Sequence, residues 1–377
     1  MGAPLRIEVT DTLGDDRADW DALVAAQPQP SAFLRSWWVE HAGAGTTALL
    51  RCRDGDALVG GFAVEVDRIG RGPASVERVR CVGQGDLAPD HLDVFAAAGR
   101  HDDVLDAVLA WLRRPGSRLV DLDGLAADGR LANALRAHEI DRIAAPYATL
   151  PSTVDEYVAA RPGRVRSTIS RTRKRLVKSG ATIERVVADD HARALDALAE
   201  LHDGRWGETS GFLGSWGRFR TAAGVGLERG DVRATEVRDA DGTVVATEWD
   251  LVTGDRVAFY QAGRSTDHEW RGAGSVLRAD IIEAAIADGA HEYDLLRGDE
   301  PYKAEWSDGR RMLVRVRFGV GGVGRTVSAG AAMWRRIEPS VRAASSRLRS
   351  GVGTADDGIT DDGPADDGPA GDGTPSR

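Results

Sequence analysis

The apolar positions just before Gly289 recur with the period of a helix. Leu277, Ile281 and Ala285 lie at i, i+4 and i+8, which places them on one helix face. Gly289 stands where a left-handed residue often ends a helix, and Ser275 stands near the expected N-cap. The pattern therefore predicts a helix that follows a short loop of small residues and ends at Gly289.

Before this helix, apolar and polar residues alternate with the period of a strand. Alternating segments with turns between them occupy 232–238, 243–252 and 256–262, and a short apolar segment follows the helix at 293–296. In the second segment Glu248 and Asp250 belong to one face, and Thr247 and Trp249 to the other. The order predicts an antiparallel three-stranded meander, then the helix, then a buried strand.

The first half of the chain contains a similar succession of elements. Strands are predicted at 5–9, 48–52, 57–66, 79–83 and 119–122, and helices at 16–25, 103–113 and 131–137. The aromatic residues Phe33, Trp37 and Trp38 have helical spacing, which is more typical of a core than of a binding site. His91 and the Asp residues beside it could form a polar site, but a solvated loop is the favoured interpretation.

These elements predict an α/β (α+β) protein with two tandem domains, each a mixed, mostly antiparallel twisted sheet flanked by helices. A chain of 377 residues is long enough for two cores. The predicted domains are 1–155 and 156–330. One more helix could follow at 331–350, and the Asp-Gly repeats of 351–377 predict a disordered acidic tail.

Composition indicates a soluble, cytoplasmic protein. Cys52 and Cys81 lie in apolar contexts without a CxxC motif, so we expect reduced thiols. The N-terminus lacks an apolar signal region, and no apolar run approaches the length of a membrane span. The formal charge is −10, of which −6 comes from seven Asp and one Arg after Gly353. The rest of the chain carries only −4, which argues against a general binder of polyanions.

One segment departs from this balance. Residues 161–178 contain eight Arg and Lys and no acid, while Val165, Ile169 and Leu176 share a helical face. The segment predicts a basic amphipathic helix that opens the second domain. It is either a solvated face or a site for an anionic partner, such as CoA phosphates, a sugar phosphate, tRNA or lipid head groups.

The loop before the helix at 275–288 can bind phosphate. It consists of Arg271, Gly272, Ala273, Gly274 and Ser275. The first amides of a helix have no intrahelical acceptor, and the helix dipole is positive at that end. Small residues let a phosphate approach the amides, and the arginine adds a cation. An ordinary connection with no ligand is equally compatible with the loop alone.

The segment after the helix favours a phosphate-binding loop over an ordinary connection. It reads Leu296-Arg297-Gly298-Asp299-Glu300-Pro301-Tyr302-Lys303, followed two residues later by Trp306. With Arg-Gly-Ala-Gly before the helix, this string resembles the GNAT acyltransferase superfamily. More narrowly, it resembles the BioF-like branch, which includes CelD- and BcsL-type proteins associated with cellulose and exopolysaccharide genes. The resemblance covers roughly 160–320 and is fainter in the first half, which lacks a matching Arg-x-x-Gly loop.

The resemblance implies a double-GNAT plan, also seen in Fem-type transferases, in which residues 1–155 form a GNAT-like domain without a cofactor. The alternative for this half is an unrelated α/β lid. The resemblance also implies that acetyl-CoA or another acyl-CoA is the co-substrate, with its pyrophosphate on the 271–275 loop and with no metal. This loop is shorter than that of typical GNAT proteins, which usually begins with Gln or Arg.

Acyl transfer needs a positioned thioester, an acceptor that loses a proton and an acid for the departing thiolate. Glu248, in the middle of its strand, is the candidate base. Tyr302 is the candidate acid, because it follows the strand at roughly the place where GNAT proteins often carry a tyrosine. The candidates for binding the acceptor or fixing the loop are Tyr260, Gln261, Asp294, Arg297, Asp299 and Lys303. The alternatives are a solvent-facing Glu248, a Tyr302 packed on Trp306, and an Arg297 paired with Asp299 or Glu300.

Three functional hypotheses follow. The first is an acyl-CoA-dependent N-acyltransferase acting on an amine or hydroxyl of a small molecule or saccharide, in the cell-envelope or exopolysaccharide setting that the resemblance implies. The second is a Fem-like transferase that uses aminoacyl-tRNA. The double-domain plan and basic helix favour it, whereas the glycine loop and the lack of a long helical arm disfavour it. The third is a non-catalytic GNAT-like binding protein in envelope polysaccharide assembly.

Overall fold

The computed structural model describes residues 5–207 and 211–330. The strands are β1 Arg6–Thr10, β2 Thr46–Asp54, β3 Ala57–Ile69, β4 Val76–Cys81, β5 Phe95–Ala96, β6 Arg118–Ala126, β7 Glu139–Thr149, β8 Thr182–Arg185, β9 Val232–Arg238, β10 Val244–Thr253, β11 Arg256–Arg264, β12 Glu292–Asp294 and β13 Gly309–Val320. The helices are α1 Arg17–Ala25, α2 Ser36–Val39, α3 His101–Leu112, α4 Arg130–Ala134, α5 Val154–Ala160, α6 Gly163–Lys178, α7 His191–Trp206, α8 Gly211–Gly214, α9 Trp216–Arg229 and α10 Ala273–Ala287. The predicted helix at 331–350 and the acidic tail lie outside the described residues.

The strands form one sheet. Its order is β1-β2-β3-β4-β6-β13-β7-β12-β11-β10-β9-β8, with β5 paired to β3. The pairs β4–β6 and β11–β12 are parallel, and the other pairs between the named strands are antiparallel. Each parallel pair is connected through a helix, α3 in the first half and α10 in the second. Both halves thus carry the same β–α–β unit, and the predicted mixed, mostly antiparallel tandem fold is confirmed.

The two halves exchange their last strands at the centre of the sheet. β7 ends the first half of the chain but pairs with β12 of the second half. β13 ends the second half but pairs with β6 of the first. The two exchanged strands also pair with each other, from Gly309↔Tyr147 to Val316↔Glu139. The predicted domain boundary at residue 155 stays a prediction, but the sheet itself is continuous across it.

Alternate side chains of the sheet pack into two apolar clusters. One contains Trp37 and Trp38 of the predicted aromatic core together with Trp249 of β10. The other lies beneath α10 and contains Ala246 of β10 and Ile281 of the helix. Neighbouring positions of β10 therefore face opposite clusters, which confirms the alternation predicted for this strand.

The sequence pattern did not predict β7, α5 or α9. β7 begins with charged residues, which obscure its alternation. α9 contains three glycines, each of which lowers helix propensity. At Gly226 a Cβ would lie 3.1 Å from the Trp37 ring and 2.4 Å from a Val232 methyl. Close packing against these side chains therefore requires glycine and overrides the local preference.

Candidate active site

The glycine loop lies at the N-terminus of α10 with two amides unused. Gly272 is the N-cap, with φ 82° and ψ −2°, and no side chain caps the helix. Its carbonyl accepts hydrogen bonds from the amides of Ser275 and Val276, at 3.1 and 3.2 Å. The amides of Ala273 and Gly274 have no acceptor among the described residues. Ser275 therefore lies in the first turn of the helix. The N-cap is Gly272, not Ser275 as the sequence predicts.

The two glycines of the loop differ in the room available for a side chain. A Cβ on Gly272 would lie 3.1 Å from Thr172 Oγ1 of α6, whereas a Cβ on Gly274 would meet no atom within 4 Å. The left-handed backbone and the close approach of α6 both require glycine at 272. The side of Gly274 is open, so an anion can reach the free amides from there.

The predicted basic helix is confirmed as α6, and it packs beside the glycine loop. Arg175 donates a hydrogen bond to the Arg271 carbonyl, and Thr172 is buried against Gly272. Arg271 itself is exposed. The tertiary fold therefore gathers cations of two distant segments around the free end of α10.

The parallel strands β11 and β12 separate well before β11 ends. Their register ends at Ala258↔Asp294, while β11 continues to Arg264. The chain after β12 stays with β7 instead, since the Leu295 amide donates to the Pro146 carbonyl at 2.9 Å. Ligands of α/β sheets commonly bind outside the carboxyl ends of parallel strands where neighbours diverge.

A polar network is buried between β10, β12 and α10. Glu248 is 1% exposed and accepts hydrogen bonds from the Tyr293 hydroxyl at 2.5 Å and from Arg278 Nη2 at 3.0 Å. The Tyr293 hydroxyl also lies 3.2 Å from Asp250 Oδ1. Burial and the charge of Glu248 raise the pKa of Asp250 well above its usual range. Asp250 can therefore hold a proton, which lets one hydrogen-bonded chain run from Asp250 through Tyr293 to Glu248.

Arg278 connects this network to Tyr302. Its guanidinium lies 4.2 Å from the ring centroid of Phe259 and 5.3 Å from that of Tyr302. Burial opposes its charge, but the adjacent Glu248 keeps the pKa of Arg278 above its usual value. Tyr302 is 41% exposed, and its partial burial raises the pKa of its hydroxyl, so the hydroxyl keeps its proton at neutral pH. Sequence reasoning missed Arg278, although a lone cation on an apolar helix face already indicates a buried acid.

The structure gives several predicted acceptor-binding residues partners in the first half of the chain. Arg297 pairs with Asp90 at 2.5 Å and with Asp123 at 3.1 Å, so its predicted pairing with Asp299 or Glu300 is wrong. Asp294 lies 2.8 Å from His91.

The remaining members of that set are placed differently. The Tyr260 hydroxyl donates to the Leu87 carbonyl at 2.7 Å within the aromatic core. Lys303 is buried and donates to the Arg297 carbonyl at 2.5 Å. Gln261 is half-buried on β11, and Asp299 is exposed. Contact of any of them with an acceptor stays a prediction.

The loop around His91 is buried, contrary to the favoured interpretation of a solvated loop. Asp90 and His91 are nearly inaccessible to solvent. Asp90 pairs with Arg297 and His91 pairs with Asp294, at the end of the β11–β12 pairing. His91 has φ 57° and its Nδ1 lies 3.2 Å from the Gln29 amide. No local sequence signal indicates this site, since Arg297 and Asp294 are about 200 residues away in the chain.

Comparison with known proteins concerns the fold and the second half of the chain. Residues 163–304 match the family described as Acetyltransferase (GNAT) domain. Among curated proteins, none matches the chain. The crystal structure of FemX aligns with a TM-score of 0.57 and 12% identity over 79% of this chain and 95% of FemX. The C-terminal domain of a putative lysylphosphatidylglycerol synthetase from Agrobacterium fabrum aligns with a TM-score of 0.52 and 14% identity, over 86% and 97% of the two chains.

A conserved protein of unknown function from Bacteroides thetaiotaomicron aligns with a TM-score of 0.53 and 14% identity, over 82% of this chain and 99% of that one. At such identities these likenesses concern the fold alone. The second half of this chain thus carries a GNAT acetyltransferase-like domain within a tandem GNAT-like fold. In the part of the chain that the structure describes, no helix is both long enough and apolar enough to span a membrane.

Proposed function

We propose that this protein transfers an acyl group from acyl-CoA, such as acetyl-CoA, to an amine or hydroxyl acceptor. The observation that carries the proposal is the open N-terminus of α10, where the amides of Ala273 and Gly274 have no acceptor among the described residues. A pyrophosphate fits there because Gly274 leaves the approach free and Arg271 and α6 supply cations.

The divergence of β11 and β12 supplies the second part of the site. It starts beside Ala258 and Asp294. We infer that Tyr302, whose ring lies against Arg278, stands at this opening. Tyr302 keeps its proton because its pKa is raised, so we propose that it protonates the departing thiolate. The acceptor loses its proton to solvent or to a group of its own.

In place of the predicted role of base, we propose a positioning role for Glu248. Its carboxylate is sealed from solvent and bound by Arg278 and Tyr293, so an acceptor proton cannot reach it without opening the network. Glu248 instead fixes Arg278, which supports Tyr302 by lying against its ring.

The experiment is calorimetry with acetyl-CoA on the wild type, Gly274→Val and Gly217→Val. Both glycines are the second residue of a helix, and a Cβ at either meets no atom within 4 Å. Gly274→Val should weaken binding by about 2–4 kcal/mol, the loss of one or two charge-assisted hydrogen bonds. Gly217→Val should bind acetyl-CoA like the wild type. Absence of binding by the wild type at millimolar acetyl-CoA would overturn the proposal.

The acceptor and the family branch belong to the same proposal. The string from Arg297 to Trp306 supports the BioF-like, CelD-like branch, and with it a saccharide acceptor, exopolysaccharide metabolism and a cytoplasmic location. A screen of amino sugars, nucleotide sugars and polyamines, with release of free CoA thiol as the readout, tests the acceptor. Thiol release with polyamines alone would contradict the saccharide part while leaving acyl transfer in place.

A Fem-like transferase using aminoacyl-tRNA is the second candidate. The observation favouring it is that Arg166, Arg171, Lys174 and Lys178 of α6 form no ion pair among the described residues, which suits a polyanion. Filter binding with charged tRNA, in parallel with acetyl-CoA calorimetry, separates the two functions. Salt-sensitive binding of charged tRNA without binding of acetyl-CoA would favour this candidate. Binding of neither would favour the non-catalytic alternative.

A further inference from the structure

A cavity of about 430 Å³ lies between α5, α6 and α10, and neither the glycine loop nor Tyr302 is among its lining residues. Its apolar lining comes from Val158 of α5, Ile169 and Val177 of α6, Ala279 of α10 and Trp306. This volume is in the range of small-molecule sites. The transfer reaction proposed above assigns nothing to this space.

The mouth of the cavity is apolar and open to water. Val177 is 71% exposed and Val158 is 38% exposed, and both line the same cavity. Exposed aliphatic side chains that adjoin a cavity form a continuous apolar surface, which is a feature of interaction sites.

Cations surround this apolar surface, and two of them are available to an outside anion. Arg161 donates to the Trp306 carbonyl at 2.7 Å. Arg173 pairs with Asp280 and with Glu283, the acid of the lining, at 3.3 and 3.0 Å. The side chains of Arg166 and Lys174 form no ion pair or hydrogen bond with another described residue, and both line the cavity.

We propose that this cavity binds an anionic phospholipid presented by a bilayer, with an acyl chain against Ile169 and Trp306 and the phosphate between Arg166 and Lys174. A bilayer would cover Val158 and Val177, and the other cations of α6 would add attraction to its anionic surface. A nucleic acid has no apolar chain for the cavity, and a free fatty acid would leave Val177 in water.

The proposal does not use the glycine loop, Glu248 or Tyr302, although its cations Arg166 and Lys174 are also those of the tRNA candidate. It is tested by sedimentation with vesicles of phosphatidylcholine containing phosphatidylglycerol, and with vesicles of phosphatidylcholine alone. The wild type should bind the first kind only. The double variant Arg166→Ala/Lys174→Ala should bind more than about 30-fold more weakly, because each cation contributes roughly fivefold by attraction to an anionic surface alone and direct contact with the phosphate adds to this.

The matched control is Arg171→Ala/Lys178→Ala, which removes the same charge from the same helix outside the cavity. It should weaken binding less than Arg166→Ala/Lys174→Ala, because it loses attraction to the surface but no direct contact with the phosphate. Ile169→Trp fills the cavity without changing charge, and it should also weaken vesicle binding. Val187 is 63% exposed, and Val187→Trp controls for the effect of an added tryptophan. Thermal unfolding shows that each variant folds.

Three results would overturn the proposal. Equal losses for the two charge variants would mean unspecific attraction to a surface. Unchanged vesicle binding by a folded Ile169→Trp would mean that no chain enters the cavity. Binding of oleate or of tRNA, without binding to anionic vesicles, would assign the surface to a free fatty acid or to a nucleic acid.

Discussion

Arg278 shows how one side chain joins the helix, the sheet and the candidate acid. It is buried, it is held by Glu248, and it lies against the rings of Phe259 and Tyr302. Removing one member of a buried ion pair leaves an uncompensated charge, whereas removing both leaves none. The two groups should therefore be strongly coupled.

We predict that Arg278→Met lowers the free energy of unfolding by about 3–5 kcal/mol. Adding Glu248→Gln should restore part of that loss, because the amide keeps the shape of Glu248 without its charge. Urea denaturation of the two single variants and the double variant measures the coupling. Strictly additive losses would show that the pair does not act as a unit.

A second residue-scale prediction concerns His91, which faces Asp294, Asp90 and Arg256. Burial opposes its charge, but Asp294 and Asp90 outweigh it and raise the pKa of His91. A raised folded-state pKa means that the protonated form stabilises the fold. This contribution is fully present below the unfolded value of about 6.5 and is lost as pH rises through the folded pKa.

The free energy of unfolding of the wild type should therefore fall across the alkaline side of neutrality more steeply than that of His91→Gln. Denaturation at several pH values from about 6 to 9 measures both slopes. The amide of the variant can still bond Gln29 but does not titrate. Parallel slopes would contradict the assigned role of His91.

At the scale of elements, α10 is the helix that places the glycine loop. It is bounded by Gly272 and Gly289, with φ of 82° and 81°. The surroundings differ, because a Cβ at 272 would lie 3.1 Å from Thr172 Oγ1 while one at 289 would meet nothing within 4 Å. Substitution of these two glycines therefore separates the cost of a left-handed alanine from the cost of a contact with α6.

Gly289→Ala should lower the free energy of unfolding by about 1 kcal/mol, the cost of a left-handed alanine. Gly272→Ala should cost more, because α6 must also move away from the new methyl. Adding Thr172→Ala should relieve the excess at 272 and leave the effect at 289 unchanged. Thermal or urea unfolding of the four variants tests this, and equal costs at both glycines would show that α6 yields freely.

At the scale of the whole molecule, the exchanged strands make the halves depend on each other. Without the first half, β13 loses both of its partners, β6 and β7. β12 would also lose β7 and keep only its short parallel pairing with β11. Unpaired strand edges are unstable and prone to association.

We therefore expect the chain from residue 156 onward to show no cooperative unfolding when produced alone. Mixing it with residues 1–155 during refolding should restore a cooperative transition, because β7 and β13 can then pair. Circular dichroism during heating measures both states. A cooperative transition of the second half alone would show that its predicted domain is autonomous.

The sequence by itself determined those helices, strands and loops that depend on neighbouring residues. Helix α10, the meander β9–β11, the basic helix α6 and the loop at Arg271 could be predicted, because periodicity and small residues act within one or two turns of chain. The string after α10 also carried the resemblance to GNAT proteins, and residues 163–304 match that family.

Only the tertiary structure decided which distant residues meet. Arg297 pairs with Asp90 across 207 positions, Glu248 meets Arg278 beneath α10, and β7 lies between strands of the other half. A charged side chain looks alike in sequence whether it faces water or a buried partner. Its partner is set by the sheet order, which depends on burying two apolar clusters at once, and no local pattern encodes that order.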